Sequence, residues 1–434
     1  MGHMRAESGH LEPDFREIVR ARPVPTGAPT VAVLPFSGSH PCLQQHVVDG
    51  LATQIGEALA NIAELIVIAP SSMLRYGGHK VDITKAGREL DIRFIVDGSF
   101  RIEDQLIIIK TNLAETSTGD ILWEDEYRCP LDQLGYEIAP RIVVRVATGL
   151  VPHLTEREIE RAMGVPPGKL TAYDFLLRAT SAMRTLDREE FNKAQFLLAK
   201  SISLDSAYAM PRALLGRWHS INVGQAWAVD RQADSRAGLE HALSAIRLDP
   251  NNSAALATAG HIKSYLFRDY DGALELFERA IDCSFSSPLA WSLSSATLSY
   301  LGMAGEARRR AEHAIRLSPF DQSIHSFYLF AGLACYAAGD YSAAEIWARK
   351  SLAANVSHTS TYKLLAVSLV GLNRVEDARE IANKLRALEP SFGVSDTTVS
   401  PFSDAILGRQ YVTQLRTAGA IPPSARAPAH HVTV

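Results

Sequence analysis

Ala245-Ile246-Arg247-Leu248-Asp249-Pro250 returns, altered, down the second half of the chain. It reads Ala280-Ile281-Asp282-Cys283-Ser284 one step later and Ala314-Ile315-Arg316-Leu317-Ser318-Pro319 at the next. Looser copies are Ser201-Ile202-Ser203-Leu204-Asp205, Ser351-Leu352-Ala353-Ala354-Asn355 and Leu385-Arg386-Ala387-Leu388-Glu389-Pro390. The equivalent positions Leu204, Leu248, Cys283, Leu317, Ala354 and Leu388 lie 44, 35, 34, 37 and 34 residues apart. A period near 34 belongs to a helix-turn-helix solenoid, in which each repeat buries its apolar face on its neighbours.

Outward from this phrase, four copies are clear. The first, from Ala254, carries Asp269-Tyr270-Asp271-Gly272-Ala273, Phe277 and Ala280; the next, from Pro288, carries Trp291, Ala307, Ala311, Ala314 and Pro319. The copy from His325 has Tyr328, Gly332, Gly339-Asp340-Tyr341 and Ala344, and that from Thr359 has Tyr362, Ala366, Ala378, Ala382 and Pro390. This is the tetratricopeptide pattern: small residues let paired helices approach, and the closing Pro stops the second helix. Two weaker copies fall near 172–205 and 207–250. The second carries about ten extra residues around Asn222–Asp230, read as a longer loop or a longer first helix. About six repeats over 165–390 are expected, closed by a capping helix within 391–420 over Ser403–Thr417. A disordered tail is expected over 421–434.

Residues 30–150 read differently. Val31-Ala32-Val33-Leu34-Pro35-Phe36 and Leu65-Ile66-Val67-Ile68-Ala69 are short buried strands. Helical spacing runs from Val47 to Ile62 and from Ile83 to Leu90. Three strand-like runs follow, Phe94–Arg101, Gln105–Glu115 and Ile121–Tyr127, with turn signals at Glu103-Asp104 and Thr118-Gly119-Asp120. A helix over Leu131–Leu150 closes the unit. Two βα units and an antiparallel meander predict an α+β domain with its helices on one face. Residues 1–29 read as a linker or tag remnant. Met1-Gly2-His3-Met4 resembles a cloning scar ahead of a second start, so a fragment of a longer product is expected.

The segments Val31-Ala32-Val33-Leu34-Pro35-Phe36, Asp49-Gly50-Leu51, Gly87-Arg88-Glu89-Leu90, Val96-Asp97-Gly98-Ser99 and Thr118-Gly119-Asp120-Ile121-Leu122-Trp123 resemble, in order and spacing, the TolB amino-terminal-like domain. The resemblance covers about 120 residues. It implies a regulatory context, because such domains precede tetratricopeptide arrays in bacterial winged-helix transcription regulators and class III nucleotide cyclases. The fold expected is therefore an α+β N-terminal domain followed by an all-α TPR superhelical solenoid.

Composition narrows the function. Of the 434 residues, 47% are hydrophobic and 21% charged, ordinary for a globular protein, and the net charge is −4. Residues 31–150 hold ten Lys+Arg against sixteen Asp+Glu, a net of −6, which disfavours direct nucleic-acid binding by this part. No run approaches the roughly 18 apolar residues of a membrane span. Cys42, Cys129, Cys283 and Cys335 form no Cys-x-x-Cys pair; Cys283 and Cys335 occupy repeat positions that favour a small buried side chain, consistent with a cytoplasmic location. Walker, dinucleotide, zinc-protease and nucleophile-elbow motifs are missing, so no cofactor, no metal and no catalytic residue are predicted.

Gly77, Gly78 and Lys80 could form an anion loop, against the simpler reading of a surface turn. His40 and His46 are far in sequence from His430 and His431, which reads against a metal site. Glu124-Asp125-Glu126 reads as a solvated sheet edge. The predicted site is the concave groove of the array: Thr258, Ile262, Tyr265, Ser292, Ser299, Ser326, Leu329, Tyr336, Lys363 and Val367. This mixture suits a protein or peptide segment, with simple packing of Tyr265 and Tyr336 between helices as the competing reading. A small effector in the N-terminal domain and a homodimer are further expectations. The function expected is non-enzymatic: an interaction module of a signalling or transcription regulator, or the regulatory half of a class III cyclase. An enzyme would instead need a deep pocket with convergent ionisable groups near the ends of strands 31–36 and 65–69.

Overall fold

The computed structural model describes residues 25–38, 45–62, 64–73, 82–130, 139–390, 392 and 400–421. The front unit is built from β1 (Thr30–Val33), α1 (Gln45–Ala60), β2 (Ile66–Val67), α2 (Pro70–Met73), α3 (Ile83–Leu90), β3 (Phe94–Glu103), β4 (Leu106–Glu115) and β5 (Ile121–Pro130). The five-stranded sheet runs in the order β2-β1-β3-β4-β5. β1 is parallel to both β2 and β3, and β3, β4 and β5 form an antiparallel meander. Asp104 and Gln105 turn the β3–β4 hairpin with φ of 48° and 65°, the left-handed pair that matches strand twist.

The helix α4 (Ala139–Gly164) follows. It and α1 cover one sheet face, where Val31, Val33, Phe94, Val96, Ile107 and Ile109 meet Leu51, Ile55, Leu59, Ile142, Val146 and Leu150. The expectation of helices on one face needs correction. Ala32, Leu34 and Ile95 point the other way and are covered by Met73 of α2 and Ala86 of α3. A strand buried on both sides reads as a continuous apolar run, as β1 does. α4 also outruns the expected end at Leu150: Ile159 and Ala162 pack with the first helices of the array.

The array consists of six antiparallel helix pairs: α5 (Ala172–Arg184) with α6 (Arg188–Leu204), α7 (Ala209–Gly224) with α8 (Arg231–Leu248), α9 (Ser253–Phe267) with α10 (Tyr270–Cys283), α11 (Pro288–Tyr300) with α12 (Ala304–Leu317), α13 (Ile324–Ala337) with α14 (Tyr341–Ala354), and α15 (Thr359–Gly371) with α16 (Val375–Leu388). Side-chain caps start many of them. Asp187, Asp230, Asn252, Asp269 and Asp340 each accept from backbone N–H groups of the first turn. The repeat alanines Ala273, Ala280, Ala307, Ala314, Ala344, Ala378 and Ala382 are completely buried, which lets the helices pack closely. Cys335 is buried as expected, whereas Cys283 is half-buried at the end of α10. The result is an α+β domain followed by an all-α TPR solenoid.

α17 (Ala405–Thr417) closes the array. It seats Tyr411 and Leu415 in the array core beside Phe402, and Gln414 accepts a 2.6 Å hydrogen bond from the Tyr336 hydroxyl. Among the described residues no helix is long and apolar enough to cross a membrane.

Candidate functional site

The first helices of the repeats face inward, and the array curls far enough for distant repeats to touch. At the end of α7, the Gln225 amide donates to the Ser357 carbonyl at 2.9 Å. Its oxygen accepts from the Thr359 N–H at 3.1 Å and the Thr359 hydroxyl at 2.8 Å. Asn355 donates to the Arg184 carbonyl at 3.1 Å, and Gln322 bonds Glu156 of α4 at 3.0 Å. The groove between these contacts is a cavity of about 570 Å³, walled by α7, α9, α11, α13 and α15 and by residues 400–401 and Tyr411.

Six predicted groove residues line this cavity: Thr258, Tyr265, Ser292, Ser326, Leu329 and Lys363. Tyr265 stacks on His261 and on Tyr300, with ring centroids 5.4 and 6.3 Å away. The other four are placed elsewhere. Ile262, Ser299 and Val367 are completely buried between helices, and Ile262 reaches toward Gly238 of α8. Tyr336 faces α17, packed against Tyr341, Phe402 and Tyr411. Ile262, Ser299 and Val367 share their helices with the lining residues Thr258, Ser292 and Lys363 but stand on faces packed against neighbouring helices. Gly77, Gly78, Lys80, His40, His430 and His431 lie outside the described residues.

Of the charged lining, sequence reading named only Lys363. Arg217, Arg231, Arg268, Lys363 and Glu389 all border the cavity, four cations against one carboxylate. Lys363 donates to Glu389 at 3.1 Å and stands 4.2 Å from the Phe392 ring centroid. Arg268 spends its donors on the Ser400 and Phe402 carbonyls, at 2.7 and 3.3 Å. Burial holds the Arg217 guanidinium below its ordinary pKa, with Asp321 acting against that from a distance. Burial, followed by the charge of Arg217, lowers His261 and His325 to about 4, so both are neutral near pH 7. Arg217 belongs to the repeat whose 44-residue spacing blurs the register, so its inward position carried no clear signal.

The acidic run on β5 is a paired sheet edge. Glu124 meets Lys110, Asp125 meets Arg145, and Glu126 meets Arg101 and Arg128. Among the described residues no three His, Cys, Asp or Glu side chains are grouped to hold a metal ion. Two further cavities, of about 260 and 350 Å³, touch the front unit at Ile62 and Glu64, and the smaller also at Leu65, the start of the 65–69 run.

No protein-family model matches the chain. A curated relative from Rhizobium meliloti (strain 1021), "Putative adenylate cyclase 3", is 29% identical over 200 residues, covering 45% of this chain and 34% of its own. The chain thus spans about a third of that relative's length. Among solved structures it is similar to a tetratricopeptide repeat protein from Parabacteroides merdae ATCC 43184, with 11% identity, coverage of 64% of this chain and 95% of that one, and a TM-score of 0.36. It is also similar to a thermophilic TPR protein from Thermus thermophilus, with 18% identity, coverage of 48% and 99%, and a TM-score of 0.35.

Proposed function

We propose that this chain is a non-enzymatic, cytoplasmic regulatory module of a bacterial signalling or transcription protein. Its TolB-like front domain serves as a platform, and the groove of its repeats docks a protein or peptide partner. The observation that carries this reading is the inward-facing cavity, where hydroxyls, aromatic rings and the Leu329 side chain from successive repeats converge. The full chain, immobilised, should capture a partner that competes with no front-domain antibody. Leu329→Glu and Tyr265→Ala, both in the lining, should each weaken capture at least about tenfold if groove contacts dominate. Undiminished capture by both variants sinks the groove assignment.

A second reading is the regulatory half of a class III nucleotide cyclase. The observation favouring it is the cyclase-named relative, of which this chain covers only 34%, leaving length in that relative for a separate catalytic domain. In that case the same partner docking, or its loss, would alter cyclase activity of the longer protein and leave DNA binding untouched.

A further inference from the structure

The interior of the array holds polar groups that the fold leaves unmet. Arg217 makes no hydrogen bond to the described residues and has no carboxylate within 4 Å among them; Asp321 acts on it only at longer range. The same arginine lines the 570 Å³ cavity and both smaller ones. Two more groups in the large cavity lack partners: the Ser292 hydroxyl and His261 Nδ1 are buried without a hydrogen bond. The lone lining carboxylate, Glu389, is already held by Lys363.

These observations converge on an anion. Water can satisfy a serine hydroxyl or an imidazole nitrogen, but it cannot neutralise the half-buried Arg217 guanidinium, which opens onto the cavities. A partly desolvated cation with only a distant carboxylate, Asp321, gains from a counter-charge bound directly against it. A guanidinium offers parallel N–H donors that match a carboxylate or a phosphate oxygen pair. The volume lies within the range of small-molecule sites.

We infer that the cavity binds a small organic anion whose carboxylate or phosphate group pairs with Arg217, with Ser292 and His261 bonding its other polar atoms. This effector site lies inside the array rather than in the front domain, and it stands whether or not a protein partner docks there.

The test is thermal unfolding and calorimetry of the full chain at fixed ionic strength, with citrate, inorganic phosphate and hexanoate as probes and hexanol as the neutral control. At least one anion should raise the wild-type melting temperature saturably, and hexanol should not. Phosphate alone acting assigns a phosphoryl ligand; citrate or hexanoate alone assigns a carboxylate. Arg217→Met should weaken that binding at least about tenfold, and Arg217→Lys, which keeps the charge but loses the fork, should weaken it less. Without added anion, Arg217→Met should be at least as stable as the parent, because it removes the unmet charge. The inference is overturned if no probe shifts the wild type, if the shift survives in Arg217→Met, or if that variant is the less stable with its parent's ligand response.

Discussion

His261 and His325 show what single residues inside the curl cost and control. Burial disfavours their imidazolium forms, and the neighbouring Arg217 adds like-charge repulsion, so both fall from 6.5 to about 4. The sign follows from linkage. Between pH 4 and 6.5 the unfolded chain binds protons that the folded chain refuses, so stability is full above about 6.5 and is lost as pH falls toward 4. Each histidine contributes on the order of 3 kcal/mol to that loss. The urea midpoint should therefore drop steadily from pH 6.5 to 4.5, and His261→Phe should flatten part of the slope; a midpoint constant over that range would contradict the burial argument. Residue-scale packing also explains the front-domain motifs. A Cβ on Gly98 would lie 2.7 Å from the Phe36 ring, and one on Gly149 would lie 2.8 Å from Trp123. The strings containing Phe36, Gly98 and Trp123 were readable, but that each small residue exists to admit a ring was not, because contact partners lie dozens of positions apart.

At the scale of elements, α4 is the piece the sequence hid. Pro152 inside it and the charged stretch after it resemble a helix end, since proline removes an internal hydrogen bond. The helix nonetheless continues, because its second half is fastened to both neighbours. Glu158, fully buried, receives Arg93 of the link before β3 at 2.6 Å and Arg161 at 3.0 Å, and Arg161 reaches Asp174 of α5 at 2.6 Å. Arg178 adds hydrogen bonds to the Ala162 and Val165 carbonyls at the helix end. Such side-chain pairings leave no periodic trace, whereas the six helix pairs were legible from alanines and prolines at a fixed interval. Glu158→Gln keeps the shape and removes the charge that two arginines share. It should cost about 3 kcal/mol in chemical denaturation, the scale seen when one partner of a buried ion network is lost. A change below about 0.5 kcal/mol would mean that solvent already serves these arginines.

Closure of the curl belongs to the whole molecule. Each repeat contacts its neighbours, and that much follows from the period, but the meeting of α7 with the start of α15 depends on small rotations summed over the intervening pairs. No local pattern encodes that sum, and of the cationic lining Arg217, Arg231 and Arg268 went unread. The closing contact is specific: Gln225 and Thr359 are both buried, and one amide oxygen serves the Thr359 N–H and hydroxyl together. Gln225→Ala would strand those two donors away from water, at about 1–3 kcal/mol. Because a solenoid's stability is nearly a sum of local and nearest-neighbour parts, the loss should be felt at the seam first. Amide exchange should quicken at Thr359 and in the turn before α15, and the radius of gyration should rise as the curl relaxes, while amides of α10–α12 keep their protection. Equal acceleration throughout the array would show instead that the seam is one part of a single cooperative unit, and an unchanged exchange rate at Thr359 would show that the contact does not hold the curl shut.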